Sequence, residues 1–243
     1  MASRSVFVLY LAPAHVADVT QTESVHAALK AKKLLPDQHF VDGAYTDARE
    51  FVTSGQHYQI DLVALVSVDA CWQAKDPDAY DLSQFRINWK TRRVTCPQGK
   101  KTQNWRKGQD PFGTPIISAK FSRTDCRLCS ARARHTQTAV EARELTFRPQ
   151  AEHDALQAAR HRQQTEEWKL SYSQRAGIEG TLSQAIATMG LRQTRYIGLA
   201  KTHLQHVLAS VALNIQRIIA WLMGIPHAQT RISRFAALAP DSA

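Results

Sequence analysis

The sequence predicts an α/β fold that is interrupted by a basic, β-rich insertion and closed by helices. Three observations carry this prediction. Up to residue 69, short β-branched runs alternate with helical stretches. From residue 70 to 150, prolines and glycines cut the chain into short alternating segments. From residue 151 onward the apolar spacing is helical again.

Val6–Leu11 is rich in β-branched and aromatic residues and reads as a strand. Thr22–Leu34 reads as a helix, with Val25, Ala28, Leu29 and Ala31 on one side and Pro36 stopping it. His39–Val41 then reads as a short strand that delivers Asp42 at its carboxyl end, where Gly43 permits a tight turn. Asp47–Gln56 reads as a helix, and Asp61–Val68 as an apolar strand of buried type. This alternation points to a sheet with right-handed crossovers, whose strand ends are the usual place for catalytic groups.

In the middle stretch, Phe85–Trp89 and Ile116–Phe121 read as strands of hairpins, separated by Pro97, Gly99, Pro111, Gly113 and Pro115. Glu152–Ser173 reads as one long polar-faced helix. Leu199–Met223 is strongly apolar and reads as a buried helix that ends at Gly224, with Pro226 beyond it. The expected division is residues 1–69, 70–150 and 151–238, with a frayed tail from 239 to 243.

Charge is distributed unevenly. The 243 residues carry a net charge of +10, with a pI near 9.7. Arg86 to Arg134 holds thirteen Lys or Arg and two acidic residues, Asp110 and Asp125, so this window is +11 and the rest of the chain −1. A solubility surface would mix signs, so a concentrated patch of this kind points to a polyanion, with DNA as the expected partner. Four cysteines, two of them as C-x2-C, do not make a secreted disulfide framework. The apolar run near the N-terminus is too short for a signal peptide, being broken by Pro13 and His15. The best membrane candidate, Leu204 to Leu222, contains Gln205, His206, Asn214, Gln216 and Arg217. A cytoplasmic, nucleoid-associated protein without membrane contact is expected.

Three motifs bear on chemistry. Tyr172-Ser-Gln-Arg175-Ala-Gly-Ile-Glu179 has three- and four-residue spacing, which would put Tyr172, Arg175 and Glu179 on one helical face. A carboxylate there suits a metal ion and an arginine beside it suits a phosphate, although spacing alone favours an ordinary Arg175/Glu179 surface pair. Gly190-Leu-Arg192-Gln-Thr-Arg195 and Lys201-Thr-His-Leu-Gln-His206 follow. Upstream lies His39-Phe-Val-Asp42-Gly-Ala-Tyr45, and between the two stand Thr95-Cys96-Pro-Gln-Gly99 and Cys126-x2-Cys129.

In that order, from about Val16 to Leu238, these motifs resemble the C-terminal part of DDE-type insertion-sequence transposases, in the branch with a cysteine-bearing insertion. The resemblance implies an RNase H-like core of the retroviral integrase superfamily that cleaves DNA and transfers strands. It implies Asp42 and Glu179 as catalytic carboxylates holding Mg2+ or Mn2+, which must lie close together for two-metal phosphoryl transfer. Tyr172 and Arg175 would meet DNA, and Arg192, Arg195 and Lys201 would contact its backbone. The partners implied are transposon ends and target DNA, with a homo-oligomer left open. The sequence departs from the family pattern in places. No early strand supplies a first aspartate: Asp18 reads as a helix-start residue, and neither Asp61 nor Asp69 has the right position. Ile186 stands where the family often has a lysine, and no separate N-terminal DNA-binding domain is seen. The expectation is a remnant of a truncated or frameshifted element with little activity alone. The alternative is a non-enzymatic DNA-binding or interaction protein derived from one.

Cys96, Cys126, Cys129 and His135 form a second constellation with Zn2+-ligand chemistry, His135 standing where relatives carry a further cysteine. The competing reading is reduced thiols that bind nothing. Cys71 reads as an unliganded thiol. Trp72, Trp89 and Trp105 interleave with the basic residues, where stacking on bases competes with a core role, the latter favoured for Trp89.

Overall fold

The computed structural model describes residues 15–67, 69–138 and 140–225. The strand expected at Val6–Leu11 and the tail from residue 239 lie outside them. The chain divides into two compact units, one ending at Ala176 and one whose described part begins at Gly177.

The first unit opens with α1 (Gln21–Ala31), β1 (Gln38–Val41), α2 (Ala48–Tyr58) and β2 (Asp61–Ala64). The strands pair in parallel, from Gln38 opposite Asp61 to Val41 opposite Ala64, with α2 as the crossover. Asp47 caps α2 by accepting from the Glu50 amide at 3.0 Å. Val41, Leu62 and Ala64 are buried, with Phe51 of α2 packed on them.

β2 ends at Ala64, four residues short of the strand the sequence predicts. The reason lies in α5 (Gln150–Arg162) and the residue that follows it. Gln163 donates from Nε2 to the Val66 carbonyl at 3.2 Å and accepts the Val66 amide at 3.0 Å. A side-chain amide thus takes the backbone bonds a continued strand would give to a neighbour. Arg162 adds bonds to Asp61 Oδ1 at 2.6 Å and the Leu62 carbonyl at 3.0 Å, pinning α5 to β2.

After α3 (Trp72–Lys75), residues from Tyr80 to Phe147 build a subdomain with its own core. β3 (Arg86–Asn88) and β4 (Arg93–Thr95) form one antiparallel hairpin, and β5 (Arg106–Gln109), β6 (Pro115–Lys120) and β7 (Glu144–Phe147) form a three-stranded sheet. α4 (Arg123–Arg127) follows β6. Tyr80, Phe85, Val94, Ile117, Phe121, Leu145 and Phe147 fill the interior. Trp89 and Trp105 join it: their rings meet at 5.6 Å edge to face, and Phe147 lies 5.6 and 5.2 Å from them. Both are half-buried and pack against this core.

The single helix expected over Glu152–Ser173 is two helices. Thr165 caps α6 (Glu166–Ser173) by accepting from the Trp168 amide at 3.2 Å, and the Gln163–Thr165 turn separates it from α5. α6 in turn stops at Ser173, where Gln174 and Arg175 bond back to Ser171 and Tyr172 three residues away. Tyr172 and Glu179 therefore do not share one helix.

In the second unit, α7 (Ala176–Met189) and α8 (Leu199–Leu222) pack through Ala185, Leu191 and Leu213, with Ile186, Met189 and Ala209 around them. The expectation that α8 is buried is corrected. Only Ser210 and Leu213 are buried, while Leu204, Leu208, Val211, Ile215 and Ile218 are exposed. Among the described residues, α7 and the segment after it pack on one stripe of the 24-residue α8, whose other apolar residues are largely exposed.

Candidate active site

Asp42 sits at the carboxyl end of β1, as the sequence predicts. Its Oδ1 accepts the Gly43 amide at 2.6 Å, fixing the chain as it enters the 3-10 turn Gly43–Tyr45. A Cβ at Gly43 would stand 3.0 Å from the Leu65 carbonyl oxygen, a tight approach. The second oxygen, Oδ2, faces Arg175 Nη1 at 3.7 Å, and the Asp42 side chain remains 59% exposed. A solvated carboxylate at a strand end is open to a cation or a phosphate-bound ion.

α6 is tied to the same strand end. Tyr172 Oη donates to the Val41 carbonyl at 3.5 Å, and its ring stacks on buried Trp168 at 4.7 Å. The Arg175 guanidinium lies 5.6 Å from the Tyr172 ring centre, on its way to Asp42. Trp168 gives no signal of this role in the motif, because the spacing argument concerns only polar residues. Asp18, set aside from the sequence, also comes near. Its 3-10 turn, Asp18–Thr20, packs on the Gly43–Tyr45 turn. Burial, then the Asp18 and Asp42 carboxylates, raise the pKa of the Tyr45 phenol.

Glu179 lies in the first turn of α7, where a helix N-terminus favours a carboxylate, and its side chain is exposed. It belongs to the second unit. Arg192 and Arg195 stand exposed in the Gly190–Gly198 loop, and Lys201 on the first turn of α8. Gln205, which the sequence argument passed over, organises that loop. Its Nε2 donates to the Gln193 carbonyl at 3.0 Å, and its Oε1 accepts the Arg195 amide at 3.2 Å.

Among the described residues no three His, Cys, Asp or Glu side chains converge closely enough to hold a metal ion. The carboxylate oxygens of Asp42 and Glu179 suit Mg2+ or Mn2+ in chemical kind. In the insertion, Cys96, Cys126, Cys129 and His135 all line one small cavity of about 20 Å3, with Arg143 and Lys100. Burial, then Arg143 and Arg132, hold the His135 pKa below its ordinary value. Cys71 is exposed and free.

Residues 95–219 match the family described as the transposase DDE domain. That span is more than half of the chain, and the chain belongs to this family. The match includes Cys96, Cys126, Cys129, Tyr172, Arg175, Glu179, Arg192, Arg195 and Lys201, and begins downstream of Asp42 and Cys71. No curated protein and no solved structure is significantly similar to the chain. Membership implies DNA as substrate and divalent-metal phosphoryl-transfer chemistry as the class of activity. No described helix is long and apolar enough to cross a membrane.

Proposed function

We propose that this chain carries two of the three catalytic carboxylates of an RNase H-like transposase core, Asp42 and Glu179, together with their DNA-positioning residues. The observation that carries this reading is the tie between distant motifs: Tyr172 bonds the strand that ends in Asp42, and Arg175 faces Asp42 itself. Asp42 and Glu179 would each offer carboxylate oxygens to divalent-ion chemistry, in which the metal activates the attacking oxygen and neutralises charge on the phosphate. Asp42 offers an exposed carboxylate anchored on its other oxygen. Arg175 offers a guanidinium that can exchange Asp42 for a phosphate oxygen, and Tyr172 fixes the turn from which Arg175 projects. Arg192, Arg195 and Lys201 hold the backbone of the same DNA through charge.

The residues of this polypeptide supply no strand-end aspartate ahead of Asp42 among those described; Asp18 lies in a 3-10 turn. The reading predicts that the purified chain binds DNA. Incubating the purified chain with duplex DNA carrying the element's ends and Mg2+ or Mn2+ tests this, with binding and product formation followed together. Absence of DNA binding would refute this reading. The second reading, a non-enzymatic DNA-binding protein of transposase descent, draws support from the basic insertion, which has its own core independent of Asp42. It predicts binding that Asp42→Asn and Glu179→Gln leave unchanged with metal present.

A further inference from the structure

Three elements separated in sequence meet at one cavity in the insertion. The first is the turn after β4. Cys96 donates its amide to the Lys100 carbonyl at 2.8 Å, and Gly99 returns to the Cys96 carbonyl at 2.9 Å. Gly99 has φ +80°, a conformation glycine adopts without strain, so Cys96 is presented on a tight knuckle. The second is the end of α4, where Cys126 is buried and the Cys129 amide reaches the Cys126 carbonyl at 3.4 Å. The third is His135, just beyond the 3-10 turn Arg132–Arg134 and only 7% exposed.

Two buried polar atoms of residues lining this cavity have no hydrogen-bond partner: His135 Nδ1 and Arg143 Nε. Leaving such groups unsatisfied costs about 1–3 kcal/mol each, so a shared explanation is called for. All three cysteines are free thiols. A thiolate-bound cation satisfies both atoms at once. The imidazole nitrogen becomes a ligand, and the guanidinium N–H gains a thiolate acceptor.

We propose that Cys96, Cys126, Cys129 and His135 form a tetrahedral structural zinc site that fastens the Cys96 knuckle to the Cys126–His135 segment. Binding releases three thiol protons, and three thiolates with one divalent ion leave a net charge of −1, which Arg143 and Lys100 in the cavity wall offset. The frame for closure is present without the ion. Lys100 pairs with Asp125 at 3.4 Å, joining the knuckle to α4. Tyr80 joins the knuckle to the His135 side: its Oη accepts from Gln98 at 3.1 Å and from Arg134 at 3.2 Å, and its ring stacks parallel to His135 at 6.3 Å. The donors line the cavity without three of them converging, so the ion draws their side chains inward onto itself. The zinc does no chemistry on DNA. It stiffens the hairpin and sheet that display the basic residues.

The test is metal analysis of the untagged full chain, expressed with zinc and purified without chelator. The site predicts about one zinc per chain, lost in Cys126→Ser, Cys129→Ser and His135→Ala but retained in His135→Cys, which supplies a fourth thiolate. Titrating the wild-type thiols with a mercurial should release zinc in step with thiol modification, a readout that needs no variant to fold. Cobalt substitution should give thiolate-to-metal charge-transfer absorption that Cys96→Ser weakens. A folded wild-type chain without zinc would overturn the proposal. So would zinc whose content the Cys96, Cys126 and Cys129 substitutions leave unchanged.

Discussion

Arg175 Nη1 stands 3.7 Å from Asp42 Oδ2, so a turn that follows α6 is aimed at the end of β1. Both side chains keep solvent contact, at 25% and 59% exposure, and an ion pair of that kind contributes only about 0–1 kcal/mol. By itself the pair is therefore a weak fastener. Arg175→Ala is expected to leave the melting temperature nearly unchanged while weakening DNA binding several-fold, as read by fluorescence anisotropy alongside thermal melts.

Gly43 governs how Asp42 is presented. A Cβ at this position meets the Leu65 carbonyl oxygen at 3.0 Å, a backbone atom that would have to give by a few tenths of an ångström. Gly43→Ala is expected to destabilise the first unit by about 1–2 kcal/mol through overpacking, measured by urea unfolding. Gly55→Ala, where added atoms meet nothing, serves as the comparison and should not destabilise.

His26 and His39 impose an acid limit on the same sheet. His26 Nε2 and His39 Nδ1 lie 2.8 Å apart, and Ser54 Oγ is 3.5 Å from His26 Nδ1. One nitrogen of the pair must donate and the other accept, so protonating both sets two N–H groups against each other. Burial, then His26, lowers the His39 pKa from 6.5 to about 4, and burial also lowers that of His26. The unfolded chain takes up its proton first, so stability is full above about pH 6.5 and is lost as pH falls towards about 4. For His39 this loss is on the order of 3 kcal/mol. Melting temperature measured between pH 4 and 8 should fall on the acid side, and His39→Gln should flatten that limb.

The insertion's basic face predicts a strong salt dependence. Arg106 and Lys107 lie on β5, which is exposed along its whole length, and Lys90, Arg92 and Arg93 are exposed around the β3–β4 hairpin. If DNA lies along this face, the slope of log affinity against log salt should drop by roughly 0.9 for each phosphate contact removed. Arg106→Ala with Lys107→Ala should reduce the slope by up to about twice that amount. An unchanged slope would place the DNA elsewhere.

Much of this was legible in the residues themselves. The short β1 strand, a helix close to α2, the hairpins of the insertion and the position of Asp42 all follow from local pattern. What local pattern missed was set by tertiary contacts. The Asp61–Val68 run reads as one strand, but Gln163 takes over the backbone bonds at Val66. The Tyr172–Glu179 spacing reads as one helical face, but the backbone turns at Gln174 and Arg175. α8 reads as buried because its composition is apolar, but composition carries no information about what covers a helix. Gln205 and Trp168 gave no chemical signal, since their roles are to hold a loop and a tyrosine in place.

The most direct test of the central proposal, that Asp42 and Glu179 are metal-binding catalytic carboxylates, is Mn2+ titration of the full chain bound to duplex DNA, with free ion followed by electron paramagnetic resonance. Asp42→Asn keeps the oxygen that accepts the Gly43 amide, and Glu179→Gln changes an exposed position, so neither variant should unfold the chain. Each is expected to weaken Mn2+ binding at least ~10-fold, as loss of a charged ligand should. Mn2+ binding equal to wild type in both variants would contradict the assignment.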